Sequence, residues 1–124
     1  MLLHVVAVAL AGALGTLARY GTSAAAITVF GSAYPYGTYI VNISGSFLFG
    51  AAAGMLPTGS VEWRTILLTG FLGGFTTFSA FAFENHQFLE KQQYVFFAVH
   101  CLGQNTLGIA AVIFGLAVAK HFTP

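Results

Sequence analysis

The sequence predicts an all-α membrane protein of four transmembrane helices, the third broken at mid-membrane, and three observations lead there. Of 124 residues, 57% are hydrophobic and only 6% are charged, against about a quarter charged in soluble domains. The apolar residues fall into four runs, each close to the roughly 20 residues an α-helix needs to cross a bilayer. One run also contains Gly70-Phe71-Leu72-Gly73-Gly74-Phe75-Thr76-Thr77-Phe78-Ser79-Ala80-Phe81, whose paired glycines and adjacent threonines interrupt a helix. A bilayer holds no water to satisfy freed backbone groups, so such a break must be buried in protein or must hold something. Interrupted membrane helices commonly mark ion or substrate sites.

The first run covers Leu3 to Val29. Its opening, Met1-Leu2-Leu3-His4, lacks the Lys or Arg of a secretory signal and reads as a retained span. The second, Tyr36 to Leu56, follows the turn residues Gly31-Ser32-Ala33-Tyr34-Pro35, and the third, Thr65 to Phe83, follows Pro57-Thr58-Gly59-Ser60. A polar stretch from Glu84-Asn85-His86-Gln87 to Lys91-Gln92-Gln93 then leads into the fourth, Tyr94 to Ala119. Only short connections are left over, so residues 1–124 are expected to form a single four-helix transmembrane domain.

Several function classes are disfavoured. A net charge of +1 offers no basic stripe for nucleic acid, and no Gly-Lys-Ser or Gly-Lys-Thr cradles a phosphate. His4, His86, His100 and His121 lack zinc-site spacing, and Cys101 stands alone. No carboxylate inside a span is expected to pair with a histidine, so the chain does not read as an enzyme. The topological charges are tied, with Arg64 and Lys120 on one side and Arg19 and Lys91 on the other. Either the chain inserts both ways and pairs about a two-fold axis in the membrane plane, or one orientation is set by features such as a buried Arg19.

Polar groups within the spans need partners or a permeating species. Asn42, Ser46, Gly50 and Gly54 share one face of the second helix, and His100, Gln104 and Gly108 share one of the fourth. Phe78 and Phe81, three apart, turn both rings to the same side. The pairs Gly50/Gly54 and Gly70/Gly74 suit close helix packing. Arg19 shares a face with Gly12 and Gly15, where its guanidinium caps carbonyls or snorkels to the interface. Asn42 either offers an amide donor to a conduit or glues two helices together. His100 and Gln104 either line a pathway or satisfy neighbours within the bundle.

Three motifs, Gly15-Thr16-Leu17-Ala18-Arg19-Tyr20, Gly37-Thr38-Tyr39-Ile40-Val41-Asn42-Ile43-Ser44-Gly45-Ser46-Phe47, and Gly70 to Phe81, stand in this order at these separations. With them the chain resembles the Fluc, or CrcB, family of fluoride channels over nearly its whole length. The resemblance implies a fluoride-selective channel giving passive export across a cell (inner) membrane, in bacteria, built as an antiparallel (dual-topology) homodimer with two pores. It implies that Asn42 lines the pore, that Phe78 and Phe81 flank the anion path, and that Arg19 stands near the entrance vestibule. Backbone carbonyls of Gly73 and Thr76 from both subunits would hold a structural Na+ at the dimer interface, and Thr77 and Ser79 match hydroxyl-bearing neighbours in the break.

The fourth helix departs from the family pattern, with His100, Gln104 and Gly108 where a tyrosine and serines usually form a polar track. Ala80 likewise replaces a common second threonine. Gln104 would offer an amide donor in place of a hydroxyl, and His100 a titratable group near the path.

The chemistry suits a small, tenaciously hydrated anion, which needs replacement donors that do not trap it. Asn42 and Ser79 supply moderate N–H and O–H donors, and phenylalanine edges are weakly electropositive. Opening the third helix at Gly73 and Gly74 would expose carbonyl oxygens to a cation. The rival is a proton-coupled small multidrug-type transporter, which needs a carboxylate in the membrane, whereas Glu84 is expected only at the end of the third helix.

Overall fold

In the computed structural model, which describes residues 1–123, three long helices and one divided span make up the bundle. Helix α1 is Leu2–Phe30, α2 is Tyr36–Met55 and α5 is Tyr94–Ala119. Between α2 and α5 run two half-helices, α3 over residues 61–75 and α4 over Phe78–Glu90. Together they complete four spans long and apolar enough to cross a membrane. At about 1.5 Å per residue, the 20 residues of α2 reach about 30 Å, the thickness of the hydrocarbon core. The chain is therefore a multi-pass membrane protein.

The ends of α1, α2 and α5 fall within one residue of the apolar runs, but the third span does not. It extends over Val61–Glu90 rather than from Thr65 to Phe83. The polar stretch beginning at Glu84 is not a loop, because α4 continues to Glu90 and the reversal occupies only Lys91, Gln92 and Gln93. Polar residues remain helical there because they divide between two faces. Glu84 and Asn85 turn inward with Phe88, while His86 and Glu90 form an exposed pair at 3.5 Å. Gln92, at φ 55°, makes the turn.

Helix α3 is wound as an α-helix over Val61–Arg64, widens to a π-helix over Thr65–Leu72 and tightens again over Gly73–Phe75. The break follows at Thr76 (φ −81°, ψ 158°) and Thr77 (φ −148°, ψ 117°), both extended. It lies beyond the glycine pair expected to open the helix. Gly73 and Gly74 stay helical, and at Gly74 the missing side chain serves packing: a Cβ there would collide with the Gly12 carbonyl of α1. The β-branched threonines accept extended backbone readily, and Thr77 caps α4 by accepting the Ala80 N–H on its hydroxyl at 3.2 Å. The two half-helices are of similar length, so the break falls near the middle of the span.

Glycines close two helix pairs. Along the α2–α5 contact, a Cβ on Gly50 would strike the Val112 carbonyl, and one on Gly115 the Phe47 carbonyl. Along α1–α3, Gly15 sits directly over the Phe71 carbonyl, and Gly70 lies against Ala11 and the Val8 carbonyl. Backbones this close gain dispersion contacts that lipid tails alone would not provide. Arg64, seen in the sequence only as a topological charge, donates to the Ala53 and Leu56 carbonyls at 3.0 and 2.9 Å and so caps the end of α2.

Overpacking of this kind costs about 1–3 kcal/mol. Gly50→Ala should therefore lower the thermal midpoint in detergent, followed by circular dichroism. Gly21→Ala, at a position with open space around it, should leave the midpoint unchanged or slightly raised.

Candidate functional site

Asn42 stands on α2 level with the break in the third span. Its Oδ1 accepts the Thr77 N–H at 2.8 Å, and its Nδ2 donates to the Thr77 carbonyl at 2.9 Å. One side chain thus pairs with both backbone groups of a single extended residue, which fixes which way the amide faces. The remaining Nδ2 hydrogen goes to Gln104 Oε1 on α5 at 2.8 Å. Both hydrogens of Asn42 are engaged within the chain, so the residue joins α2, α5 and the break.

These groups border a groove of about 270 Å³ lined by Asn42, Thr76, Thr77, Phe78, Phe81, Gln104 and Asn105, with Ser46 and Phe49 further along. No lining residue is charged. The Phe78 and Phe81 rings are 5.5 Å apart at 44°, one on each side of the groove's exposure: Phe81 is 8% exposed and Phe78 is 78% exposed. One wall of the groove is therefore open.

Of the residues singled out in the sequence, Asn42, Thr76, Thr77, Phe78, Phe81 and Gln104 come together on the groove. Ser79 does not; it is exposed, with its hydroxyl 3.3 Å from that of Thr77. His100 is also off the lining, fully buried behind Gln104. Arg19 sends Nη1 to the Thr76 carbonyl at 3.4 Å, capping the break rather than reaching for the interface.

The carbonyls of the break lose their helical donors, and Arg19 replaces the one lost at Thr76. Thr77 N–H, the helical partner of the Gly73 carbonyl, goes to Asn42, and Ala80 N–H, that of the Thr76 carbonyl, goes to the Thr77 hydroxyl. Gly73 itself is exposed. Oxygens freed in this way have the chemistry of ligands for a hard cation.

The sequence reading missed a polar cluster behind the groove. Glu84, expected at the end of a shorter helix, lies inside the third span, and its carboxylate does pair with a histidine. Oε2 is 3.0 Å from His100 Nε2, and Oε1 accepts from the Thr38 hydroxyl at 2.5 Å. Tyr34, in the α1–α2 connection, places its hydroxyl 3.0 Å from His100 Nδ1. Burial, with Tyr39, Tyr36 and Glu84 nearby, pushes the Tyr34 phenol up to about 12, so it remains a neutral hydroxyl across the working range. Tyr34, Thr38 and Glu84 face a second cavity of about 600 Å³ with Ser23 and Lys91 on its wall. Helical spacing could have revealed Glu84, since Thr77, Phe81, Glu84 and Phe88 recur on one face. No periodicity marks Tyr34, which lies between helices.

Residues 6–116 match the family described as "CrcB-like protein, Camphor Resistance (CrcB)". The chain is 46% identical over 118 residues to a "Fluoride-specific ion channel FluC" of Nitrosococcus oceani, covering 91% of this chain and 93% of that one. It is 46% identical over 119 residues to the protein of the same name from Solidesulfovibrio magneticus, with 91% and 93% covered. A third, from Rhizobium johnstonii, is 40% identical over 122 residues, covering 96% and 98%. With similarity of this extent, and with the interrupted third span and its asparagine-braced groove in place, the chain belongs to the CrcB family.

Proposed function

We propose that this chain is a fluoride-selective channel that lets fluoride leave the cell passively, with no covalent step. The groove carries the reading. It lies at the level of the helix break, it is lined by amides, hydroxyls and two phenylalanine rings, and it contains no fixed charge. Neutral donors and ring edges can replace water around a small anion without holding it. The FluC names of the relatives agree with this chemistry.

The conducting unit in this proposal is an antiparallel homodimer with two pores. A groove bordered by Asn42, Gln104 and Asn105 cannot face hydrocarbon cheaply, and its open wall carries the exposed Phe78. A second copy would close it. With Arg19 drawn to the break, the charges left near the span ends are Arg64 and Lys120 against Lys91, a bias weak enough for copies of opposite orientation. The Gly73 carbonyl, which loses its helical donor, and the Thr76 carbonyl, which keeps a lone pair beside its bond to Arg19, would be doubled by the partner and hold a structural Na+ that offsets their partial negative charge. Bacterial relatives support placement in a bacterial inner membrane. The multidrug-transporter reading gains little from Glu84, since Thr38 and His100 each bond one oxygen of its carboxylate and weaken its pull on a cationic drug.

In liposomes, fluoride should pass and chloride should not; equal passage would remove the selectivity claim. Taking about 1 kcal/mol per ring edge, as in edge-to-face aromatic pairs, Phe78→Ile or Phe81→Ile should slow fluoride flux by about fivefold or more while the dimer elutes unchanged from a sizing column. With Cys101→Ser and Lys91→Cys combined, a membrane-impermeant maleimide applied to whole cells should label roughly half of the protein if insertion is dual; all or none would contradict it. Protein purified and reconstituted without sodium should lose flux and regain it when sodium is restored. Full flux throughout would dispose of the sodium site.

A further inference from the structure

The hydrogen bonds behind the groove form a chain whose direction is set at one end. Asn42 is held by the Thr77 peptide group, with Oδ1 on the N–H and Nδ2 on the carbonyl. Its free hydrogen points to Gln104, which must answer with Oε1, and so the Gln104 amino group faces His100. The amino nitrogen lies 3.2 Å from Nδ1 and 2.9 Å from Nε2, so it sits across the imidazole face, where its N–H groups meet the electron-rich neutral ring rather than an in-plane lone pair. Nε2 faces the Glu84 carboxylate at 3.0 Å, which accepts only, so the neutral ring carries its hydrogen on Nε2, and Nδ1 accepts from the Tyr34 hydroxyl. Glu84 thus selects the tautomer, and the Thr77 peptide at the helix break selects which end of Gln104 meets the ring.

We propose that His100 is a positioning residue for the groove and makes conduction rise with acidity. A proton added at Nδ1 makes the ring a cation, whose face repels the Gln104 amino group instead of attracting it. Tyr34 adapts by turning its hydroxyl to accept the new N–H, and Gln104 by turning its carbonyl oxygen toward the cation. Asn42, pinned by Thr77, cannot turn with it. The Asn42–Gln104 bond is lost, and N–H groups of both amides are released toward the groove they line. The added positive charge acts in the same direction, converting the carboxylate–imidazole pair from net negative to neutral. Anion occupancy and proton uptake at His100 are thereby coupled, each favouring the other.

The groups facing His100 are few. Tyr34 comes from the α1–α2 connection, Tyr39 from α2 with its ring 6.0 Å away, and Glu84 from α4. The Phe81 and Phe88 rings pack against the imidazole. Lys91 shares the wall of the second cavity with Tyr34 and Glu84. Among the described residues, Glu84 is thus the one carboxylate bonded to the ring.

The inference rests on reading the groove as the fluoride path, and two measurements separate its failure from that of the reading. In reconstituted vesicles, with the leak of protein-free vesicles subtracted, fluoride flux should rise by about fivefold or more as the pH is lowered. His100→Asn should give a flat profile. Flux that is present but equally flat in the parent protein would overturn the inference and leave the channel reading standing. Independently of flux, a variant combining His4→Gln, His86→Gln and His121→Gln leaves His100 as the only histidine for ¹⁵N magnetic resonance in lipid. The neutral ring should carry its hydrogen on Nε2, and added fluoride should shift the ring toward the protonated form. A hydrogen on Nδ1 of the neutral ring, or no response to fluoride, would overturn the coupling even if no flux were measured.

Discussion

A peptide N–H at mid-membrane with no helical acceptor is the constraint around which the rest of this bundle is arranged. In hydrocarbon an unsatisfied N–H or C=O costs several kcal/mol, and the Thr77 N–H has no helical acceptor, while its carbonyl, at the cap of α4, carries only the first bond of that helix. Asn42 meets both with one amide, at 2.8 and 2.9 Å. That requirement fixes the height of Asn42 on α2, the closeness of α2 to the third span, and the glycines that permit it. A Cβ on Gly45, one turn along from Asn42, would collide with the Thr76 side chain. Removing the Asn42 amide would leave the Thr77 N–H bare at a depth water does not reach.

The same pairing explains why the groove is polar without being charged. Once the break is braced by an amide, the groups left around it are the hydroxyl and carbonyl oxygens of the threonines, the rings of Phe78 and Phe81, and the amides of Gln104 and Asn105. Charges exist close by, but each is set back and paired. Arg19 faces the Thr76 carbonyl, and Glu84 is divided between Thr38 and His100. Gln104 stands between the groove and the charged pair, relaying a hydrogen-bond direction while keeping the carboxylate off the path. A bare carboxylate on the lining would repel an anion, and a bare lysine would retain it.

Much of this was legible in the chain. Four apolar runs gave four spans, and for α1, α2 and α5 the ends agree to within a residue, because the change from apolar to turn residues there is abrupt. The groove residues Asn42, Thr77, Phe78, Phe81 and Gln104 were also found, since membrane-depth polar groups and a disrupted helix stand out against a lipid-facing background. The end of the third span was not found. Glu84 and Asn85 look like loop residues in one dimension, and only their inward partners, Thr38 and His100 for Glu84 and the Phe81 carbonyl for Asn85, show why a helix continues through them. The position of the break was misread for a related reason: glycine signals both a flexible backbone and a close approach, and Gly74 serves the second.

What the sequence determined by itself was the solvent, the number of spans and which one is interrupted, because these follow from hydropathy and local backbone preference. What the tertiary structure decided was how the polar groups are shared out: Asn42 to the Thr77 peptide, Gln104 to both Asn42 and His100, and Glu84 to Thr38 and His100. Hydrogen bonds are directional and short, and these partners are separated by 16 to 62 residues along the chain except for Gln104 and His100, one turn apart. Spacing along a helix records which face a residue occupies. Which donor meets which acceptor is settled only when the faces come together.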